Sequence, residues 1–444
     1  MTMANLVHEH SSECAISELD VFSVPPTQTS IESSGYLEFN PISSLNDGTP
    51  VEFFVSGSGD YIDLANTLIH VKVKITRADG TDIDNTDNVG PVNLLLHSMF
   101  SEVDIKLNDA MVSSTNNTYA YRAYIETLLS YRPSAKKSQL TCEMYYKDTA
   151  GRFEDGDPNA VAGASNAGFA KRATYFGDSA IVEMIGPVHG DIFFANRFLP
   201  SNVGIRMRFV RSKDAFSLMS DAQGAAYKLK IADFKLLIRK AKLSSSVLVA
   251  HAKALQFGNF RYPIRRVVCK TFTVPAGNLN CSQENLFAGQ LPTRLIVGCV
   301  DNDSYNGVYA KAFNNFKHLD ASQVKLFVDG GYQQFVRPID ANYQTDHYLS
   351  GYLSLFSATG KNLKDEGLDI TRDDYPHGYC LYAFDLTPDL GEEDHFNLSV
   401  DGTVRLDIAF RTALANTINV IVYAEFENVI EIDRNKNILQ DFNG

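Results

Sequence analysis

Several features that mark common classes of protein are missing from this sequence. It has no tryptophan, and no lysine or arginine occurs before Lys72, although acidic residues do (Glu13, Glu18, Asp20, Glu32 and Glu38). A basic arm that binds nucleic acid by displacing phosphate counterions is therefore excluded from this stretch. The net charge is −13 and the pI is near 5.2. The chain as a whole is thus predicted not to bind nucleic acid strongly.

Signals for export and for membrane insertion are also missing. Residues 1–30 have neither the positively charged region nor the apolar core of a signal peptide. The apolar run Val92–Met99 is far shorter than the roughly 18 residues that cross a bilayer. We therefore expect no membrane span.

Cysteine is sparse, and its spacing indicates neither a disulfide framework nor a metal site. None of the six residues forms a C-x-x-C pair (Cys14, Cys142, Cys269, Cys281, Cys299 and Cys380). This usage is typical of a protein that folds in a reducing intracellular compartment.

What the sequence does contain is aromatic residues and a period of two. There are 28 Phe and 21 Tyr, residues that favour strands. Apolar and charged residues alternate in four segments, which predicts half-buried strands (Ile69–Ile75, Val103–Leu107, Val203–Phe209 and Val404–Phe410). In Tyr227–Lys240 the alternation slips by one residue, which predicts a bulge near Asp233.

Two segments have the spacing of amphipathic helices instead. Tyr119–Tyr131 carries apolar residues on one face and is followed by Arg132-Pro133. Tyr343–Ala358 has a similar pattern, with Gly360 as its stop.

These elements recur in the same order, offset by roughly 200–220 residues, which indicates a duplicated plan. Strand Ser101–Asn108 precedes the first helix as strand Ser322–Asp329 precedes the second. Strand Val203–Arg211 corresponds to Thr403–Arg411, and the long strand that follows it corresponds to Ile418–Phe426.

The repeat suggests five segments. We predict an N-terminal arm at 1–30, a first domain at 31–243, a linker at 244–259 with a short helix at Val247–Gln256, a second domain at 260–430 and a tail at 431–444. Residues 148–176, rich in Gly, Ala, Asn and Asp, are predicted to form a long surface loop.

The fold class that follows is all-β. Helices do not alternate with strands, so a parallel α/β sheet is excluded. Each copy holds about eight short strands, and antiparallel strands commonly hide their edges by forming two packed sheets. We predict two tandem eight-stranded jelly rolls with inserted short helices, although periodicity alone leaves other β-sandwich topologies open.

Motifs that resemble chemical sites are all incomplete. His8-Glu9-His10 has no further ligands at fixed spacing and lies outside any strand, so a solvated tail is favoured over a metal site. Asp301–Gly307 begins like a calcium loop but has Tyr305 and Asn306 where an oxygen ligand and glycine are needed, which favours an acidic turn. The acidic segment Lys364–Asp374 is interpreted as a solvated loop rather than a pair of catalytic carboxylates.

Loops and a basic run complete the candidates. Ser56–Asp60 and Gly360-Lys361-Asn362 lack the ending of a phosphate-binding loop, and Gly163–Gly168 misses the G-x-S-x-G spacing of a nucleophile elbow. A local basic run lies near Phe260, Tyr262 and Phe272 (Arg261, Arg265, Arg266 and Lys270). It favours a strand with one solvent-exposed face, or an interface to acidic partners, over nucleic-acid contact. No catalytic, cofactor-binding or metal-binding residue is nominated, and we predict that the chain is not an enzyme.

Both ends of the sequence resemble one family. The segments Ser17–Glu32 and Ile418–Ile438 are similar to the opening and to the last strand and tail of the major capsid (hexon-like) proteins of Maverick/Polinton elements and adintoviruses. The duplicated plan between them extends the resemblance over most of the chain.

The resemblance implies a double jelly roll that forms a homotrimer. Such trimers are pseudo-hexagonal capsomers that tile an icosahedral shell around double-stranded DNA, with penton (single jelly-roll) proteins at the vertices and other minor capsid proteins as partners. It also implies long loops at the outer tip, termini at the inner base and localisation in the virion.

Three alternatives remain open at this point. The chain could be a tandem β-sandwich binding module for a glycan or a cell-surface partner, a domesticated capsid-like host protein, or a carbohydrate-active or metal-dependent β enzyme. A binding module predicts a monomer, whereas an enzyme predicts a cleft with converging carboxylates or histidines.

Overall fold

A computed structural model describes residues 8, 10–12, 14–46, 48–57, 59–160, 165–328, 331–332, 337–390 and 395–440. Two successive sets of strands, here called the first half (β1 to β8) and the second half (β9 to β16), build its four large sheets. The strands of the first half are β1 (Ile31–Phe39), β2 (Val51–Val55), β3 (Tyr61–Arg77), β4 (Phe100–Leu107), β5 (Ala110–Ser113), β6 (Val182–Pro187), β7 (Ile205–Arg211) and β8 (Tyr227–Leu243). Those of the second half are β9 (Phe260–Val274), β10 (Asn280–Gln290), β11 (Arg294–Asp301), β12 (Ala321–Val328), β13 (Gly331–Tyr332), β14 (Leu381–Asp385), β15 (Asp401–Phe410) and β16 (Ile418–Ile432).

The two halves have the same topology. In the first half the sheets run β1-β8-β3-β6 and β2-β7-β4-β5; in the second they run β9-β16-β11-β14 and β10-β15-β12-β13. Each second-half sheet has one more short strand, Ile438–Gln440 beside β16 and Ile339–Asp340 beside β12. Adding eight to each strand number of the first half gives the second. The strands pair antiparallel, and the chain crosses between facing sheets at every connection except the β4–β5 and β12–β13 hairpins. This is the jelly-roll arrangement, and the predicted fold class is confirmed.

Helices lie in the connections between strands. They are α1 (Leu95–Ser98), α2 (Tyr119–Ser130), α3 (Pro133–Lys136), α4 (Ala167–Ala173), α5 (Asp214–Ser217), α6 (Ser245–Ala254), α7 (Asn302–Asn306) and α8 (Leu349–Ala358). Short 3-10 segments occur at Ser17–Leu19, Gln139–Glu143, Gly177–Ser179, Asp191–Phe194 and Tyr343–Thr345. None of the helices in these ranges is long and apolar enough to span a bilayer.

The duplicated elements occupy equivalent places. Helix α2 lies between β5 and β6, and helix α8 lies between β13 and β14.

The predicted bulge is confirmed, because the pairing of β8 with β3 shifts between Ile231 and Asp233. The second helix begins later than predicted, since Tyr343–Thr345 forms a separate 3-10 turn. The linker helix is Ser245–Ala254, two residues earlier than predicted, and the domain boundaries themselves stay a prediction.

The prediction of a surface loop at 148–176 was wrong. Phe153, Phe169 and Phe176 are buried, and the segment contains α4. Its polar residues are buried because they satisfy one another: Asp148 accepts hydrogen bonds from Arg172 and Asn166, at 2.8 and 2.9 Å. Composition indicated exposure, but this polar network removes the penalty for burial.

Two large hydrophobic clusters form the core, and each takes residues from both halves. The first includes four phenylalanine rings with centroids 4.9–5.9 Å apart (Phe53, Phe100, Phe209 and Phe234). It also contains Tyr262 of β9 and Ile432 of β16, whereas most of the apolar face of α2 belongs to the second cluster. The halves are therefore joined by shared packing as well as by the linker.

Neighbouring residues on β2 test this core. Phe53 is 0% exposed and lies among the four rings, whereas Phe54 is 46% exposed on the opposite face. Replacing a buried Phe by Ala typically costs about 3–5 kcal/mol, so Phe53→Ala should lower the free energy of unfolding by that amount. Phe54→Ala should lower it by less than about 1 kcal/mol. Urea denaturation followed by circular dichroism measures both, and equal losses would contradict the assigned faces.

Candidate functional site

A segment in which apolar residues are frequent precedes β1 and is exposed to solvent. Five large apolar side chains within residues 16–24 are each more than half exposed, and Phe22 reaches 96% (Ile16, Leu19, Val21, Phe22 and Val24). Isolated exposed apolar residues are ordinary, but a contiguous group indicates an interaction surface. We call residues 16–24 the arm.

The strand that follows the arm is exposed on both faces. β1 lies at the edge of its sheet, and its neighbouring residues Tyr36 and Leu37 are both about half-exposed although they point to opposite sides. Glu32 and Glu38 pair with Lys242 and Lys235 of β8. Such charges on an edge strand discourage unspecific pairing, which leaves the apolar residues for a specific contact.

A groove lies in the second half between the β10–β11 and β14–β15 connections. It has a volume of about 1050 Å³. Apolar side chains form much of its lining (Leu291, Phe396, Leu398, Val400 and Leu439). Leu398 is almost fully exposed, so the groove offers apolar surface to a partner.

The topology places the arm and the groove at one end of the molecule. In each half, the start of the first strand lies at one end of the sandwich. The same end holds the connection between the second and third strands and the connection between the sixth and seventh. The two halves have these ends together, because Asn108 in the β4–β5 turn donates to the carbonyl of Lys436, beyond β16, at 2.9 Å. We call this the arm end; the opposite end, which carries α2 and α8, is the helix end.

At the helix end, two buried lysines tie the halves together. Lys136 Nζ donates to the carbonyls of Leu128 and Leu368, at 2.6 and 2.5 Å. Lys361 Nζ donates to the carbonyls of Leu129 and Ser130, at 2.6 and 3.0 Å. Both amino groups therefore satisfy the free carbonyls at the C-terminus of α2.

The acidic segment Lys364–Asp374 belongs to this contact. Asp374 accepts from Lys147 Nζ at 2.8 Å, and Glu366 pairs with Arg132. Its interpretation as a solvated loop was wrong for these two carboxylates, since first-half cations neutralise them. The arrangement is one of ion pairing across the halves, not of two free carboxylates facing a substrate.

The other metal and phosphate motifs have structural roles. Asp301 Oδ2 lies 2.6 Å from Lys317 Nζ, and a short helix (Asn302–Asn306) replaces the predicted turn. A side chain on Gly57 would meet the backbone of Val203 at 2.3 Å, so this glycine permits close packing. His8 and His10 are exposed with ring centroids 5.4 Å apart.

Parts of three motifs lie outside the described residues. These are Glu9 between the two histidines, Ser58 of the first glycine loop, and Gly163 and Ala164 of the incomplete nucleophile elbow. The rest of that elbow leads into α4, whose first turn is capped by the Asn166 side chain.

The basic run forms part of β9, which pairs along its length with β16. Arg261 contacts Glu431 at 3.0 Å, and Arg266 lies 4.5 Å from the ring centroid of Phe426. Lys270 donates to the carbonyl of Leu286 at 2.7 Å. These partners within the chain support the strand interpretation over nucleic-acid contact.

Sequence reasoning missed the buried ionisable residues. Lys136 has no motif around it, and the glycine turn around Lys361 gave no sign that this side chain is buried. His97, Glu143 and His189 are buried with one ligand atom each within 4.8 Å of the others, the one group of metal-binding side chains found in the described ranges. Their separation in sequence, 46 residues at each step, gives no local signal.

The Lys136 contact predicts a dependence of stability on pH. Burial lowers the pKa of Lys136 to about 7, below its ordinary value of 10.5. Between these pH values the unfolded chain binds the proton and the folded chain does not, so stability should rise with pH. The slope from this group is at most about 1.4 kcal/mol per pH unit. Urea denaturation from pH 7 to 9 should show a steeper rise for the natural chain than for Lys136→Met; parallel curves would contradict the assignment.

Comparison with known proteins gives distant relatives. No model of a known protein family matches the chain. A curated relative is the "Uncharacterized protein F54H12.2" of Caenorhabditis elegans, 22% identical over 435 residues, which are 94% of this chain and 99% of the relative.

Solved structures with the same fold come from viruses. A chain of the Sputnik virophage, determined by electron cryo-microscopy, has a TM-score of 0.62 at 10% identity, over 99% of this chain and 94% of that chain. A chain of the PBCV-1 virus capsid has 0.59 at 10% identity, over 95% and 100%. The mavirus major capsid protein has 0.53 at 12% identity, over 99% and 97%. The chain therefore has the double jelly-roll fold found in viral major capsid proteins.

Proposed function

We propose that this chain is a major capsid protein that self-assembles into a viral shell. The observation that carries the proposal is the repeated topology: two jelly rolls of identical strand order, side by side with the same ends together. Solved capsid proteins match this fold over nearly their whole length, and the ends of the sequence resemble Maverick/Polinton and adintovirus capsid proteins.

The geometry supports a trimer as the building unit. Three copies around an axis present six similar columns, because each copy contributes two jelly rolls. Such a unit is nearly hexagonal and packs against six neighbours, as a closed shell with icosahedral symmetry requires. Penton and other minor capsid proteins would occupy the positions that this unit does not fill.

The arm end supplies surface for contacts between copies. The arm is apolar and exposed, and the groove that ends at Leu398 and Leu439 lies at the same end. We infer that the arm of one copy binds the groove of a neighbour. Burial of an exposed phenylalanine stabilises such a contact by about 1.5–3 kcal/mol.

The charge of the chain supports a shell that encloses double-stranded DNA without binding it tightly. The net charge is −13, and the basic side chains of β9 are engaged by β16. Condensation of the genome would then require other proteins or cations. The protein would act in the virion without enzymatic activity.

A second candidate is a domesticated capsid-like host protein. The observation that favours it is the relative of nearly equal length in Caenorhabditis elegans, an animal. An integrated element and a retained host gene both fit this relative. Particles that contain DNA would favour the element, whereas a stable trimer that never forms particles would favour the host protein.

Self-association tests the capsid function directly. Light scattering should give a mass of three times 49.2 kDa, and electron microscopy should show larger particles at high concentration. A monomer at all concentrations would contradict the proposal and favour a binding module.

The role of the arm is tested by a matched pair of variants. Phe22 at the arm end and Leu363 at the helix end are both 96% exposed. Phe22→Asp should raise the concentration at which particles form by about 10-fold or more, because it removes the apolar contact. Leu363→Asp should leave it unchanged. Equal effects of the two variants would refute the arm contact.

Weak binding of nucleic acid is tested with a labelled duplex. Fluorescence anisotropy of a 30-base-pair DNA, at about 50 and 200 mM salt, should show no binding that falls steeply with salt. Tight, salt-sensitive binding would contradict this part of the proposal and indicate that the chain binds DNA directly.

A further inference from the structure

Three buried side chains of the first half converge on one point. His97 lies in α1, Glu143 ends the 3-10 segment after α3, and His189 follows β6. Each offers one ligand atom, and these atoms all lie within 4.8 Å of one another. The two imidazole rings meet edge to face with centroids 4.6 Å apart.

His189 presents an unused nitrogen to this point. Its Nδ1 lies 2.5 Å from Glu126 Oε2. Glu126 also pairs with Arg122 at 2.9 Å, and its carboxylate accepts the Nδ1 proton of His189. The lone pair is then on Nε2. That atom is buried in a residue only 2% exposed and has no hydrogen-bond partner among the described residues.

His97 is oriented by a second partner in a similar way. Its Nδ1 lies 3.1 Å from Tyr119 Oη, and its Nε2 lies 3.1 Å from Glu143 Oε2. With its proton on Nδ1 and donated to Tyr119 Oη, the ring directs the Nε2 lone pair toward the same point as Glu143. The outer carboxylate on His189 and the tyrosine on His97 are the kind of second partners that fix histidine ligands around metals.

We propose that His97 Nε2, the Glu143 carboxylate and His189 Nε2 bind one divalent transition-metal ion, for which Zn²⁺ is the best match. Two imidazoles and a carboxylate form a ligand set typical of zinc. Ligand atoms about 2.0–2.1 Å from a tetrahedral ion are about 3.3 Å apart, close to the 3.1 Å between His97 Nε2 and Glu143 Oε2. The remaining separations between ligand atoms are at most 4.8 Å.

A cleft beside the cluster gives the ion a route. It has a volume of about 750 Å³, and His189 and Glu126 line it. The ion would fasten three separate connections of the first half, those that hold α1, Glu143 and the start of the β6–β7 segment. This proposal does not depend on the proposed shell assembly, and failure of one would not contradict the other.

Metal content and titration of the full chain test the site. After treatment with a chelator and its removal, calorimetry with Zn²⁺ should show one ion per chain with a dissociation constant of about 1 μM or tighter. Co²⁺ in its place should give visible absorption bands from nitrogen and oxygen ligands. If the natural chain binds neither ion more tightly than about 100 μM, the proposal is wrong, whatever the variants do.

Variants locate the ion. His189→Gln should abolish stoichiometric binding. Glu126 meets the cluster at His189 Nδ1, the nitrogen that does not bind the ion, so Glu126→Gln should weaken binding about 10- to 100-fold. His251→Gln is the matched control, because His251 lies outside the cluster. Its Nδ1 is 3.0 Å from Tyr61 Oη. The double variant His8→Ala/His10→Ala should bind as the natural chain does. Loss of binding there, or full binding in a folded His189→Gln protein, would overturn the assignment.

Discussion

The structure depends on the contact at the C-terminus of α2. This helix belongs to the first half by sequence, yet most of its apolar face packs into the second hydrophobic cluster. Its last carbonyls would be unsatisfied there without Lys136 and Lys361, which reach them from the equivalent connection of each half. Buried hydrogen bonds thereby hold the two similar sandwiches in this orientation.

That fixed orientation gives the molecule two different ends. At the helix end, charged residues pair with one another across the halves, as Lys147 does with Asp374. At the arm end, apolar side chains such as Phe22 and Leu398 are exposed. Internal charge pairing stabilises the chain itself, whereas exposed apolar surface is stabilised only by another molecule. Leu363 shows that the helix end also exposes an apolar side chain, but there it stands alone, whereas five of them lie within residues 16–24 at the arm end.

The sequence predicted those parts of the structure that depend on local patterns. Alternation placed β3, β4, β7 and β15, the phase slip placed the bulge before Asp233, and the repeated order gave the duplication. The burial of residues 148–176 was not predictable, since Asp148 is satisfied by Asn93, Asn166, Arg172 and Asn314, which lie up to 166 positions away.

The candidate sites also differ in how far local sequence patterns predicted them. The sequence predicted an arm at 1–30, before the first strand, although the exposure of its apolar side chains was not predicted. The buried histidines could not be predicted, because His97, Glu143 and His189 are brought together by tertiary packing alone. The pairing of Glu366 and Asp374 with first-half cations was also hidden, since charge runs look alike whether they are solvated or paired.

The sharing of cores between the halves has a consequence for biosynthesis. Ile430 and Ile432 of β16 complete the first cluster, so β1 to β8 cannot bury their core fully when they leave the ribosome. At about 5–20 residues per second, roughly 200 residues of translation leave that surface incomplete for about 10 to 40 s. A nascent chain in this state exposes apolar surface, and the first hydrophobic cluster is complete only after the last strand has been made.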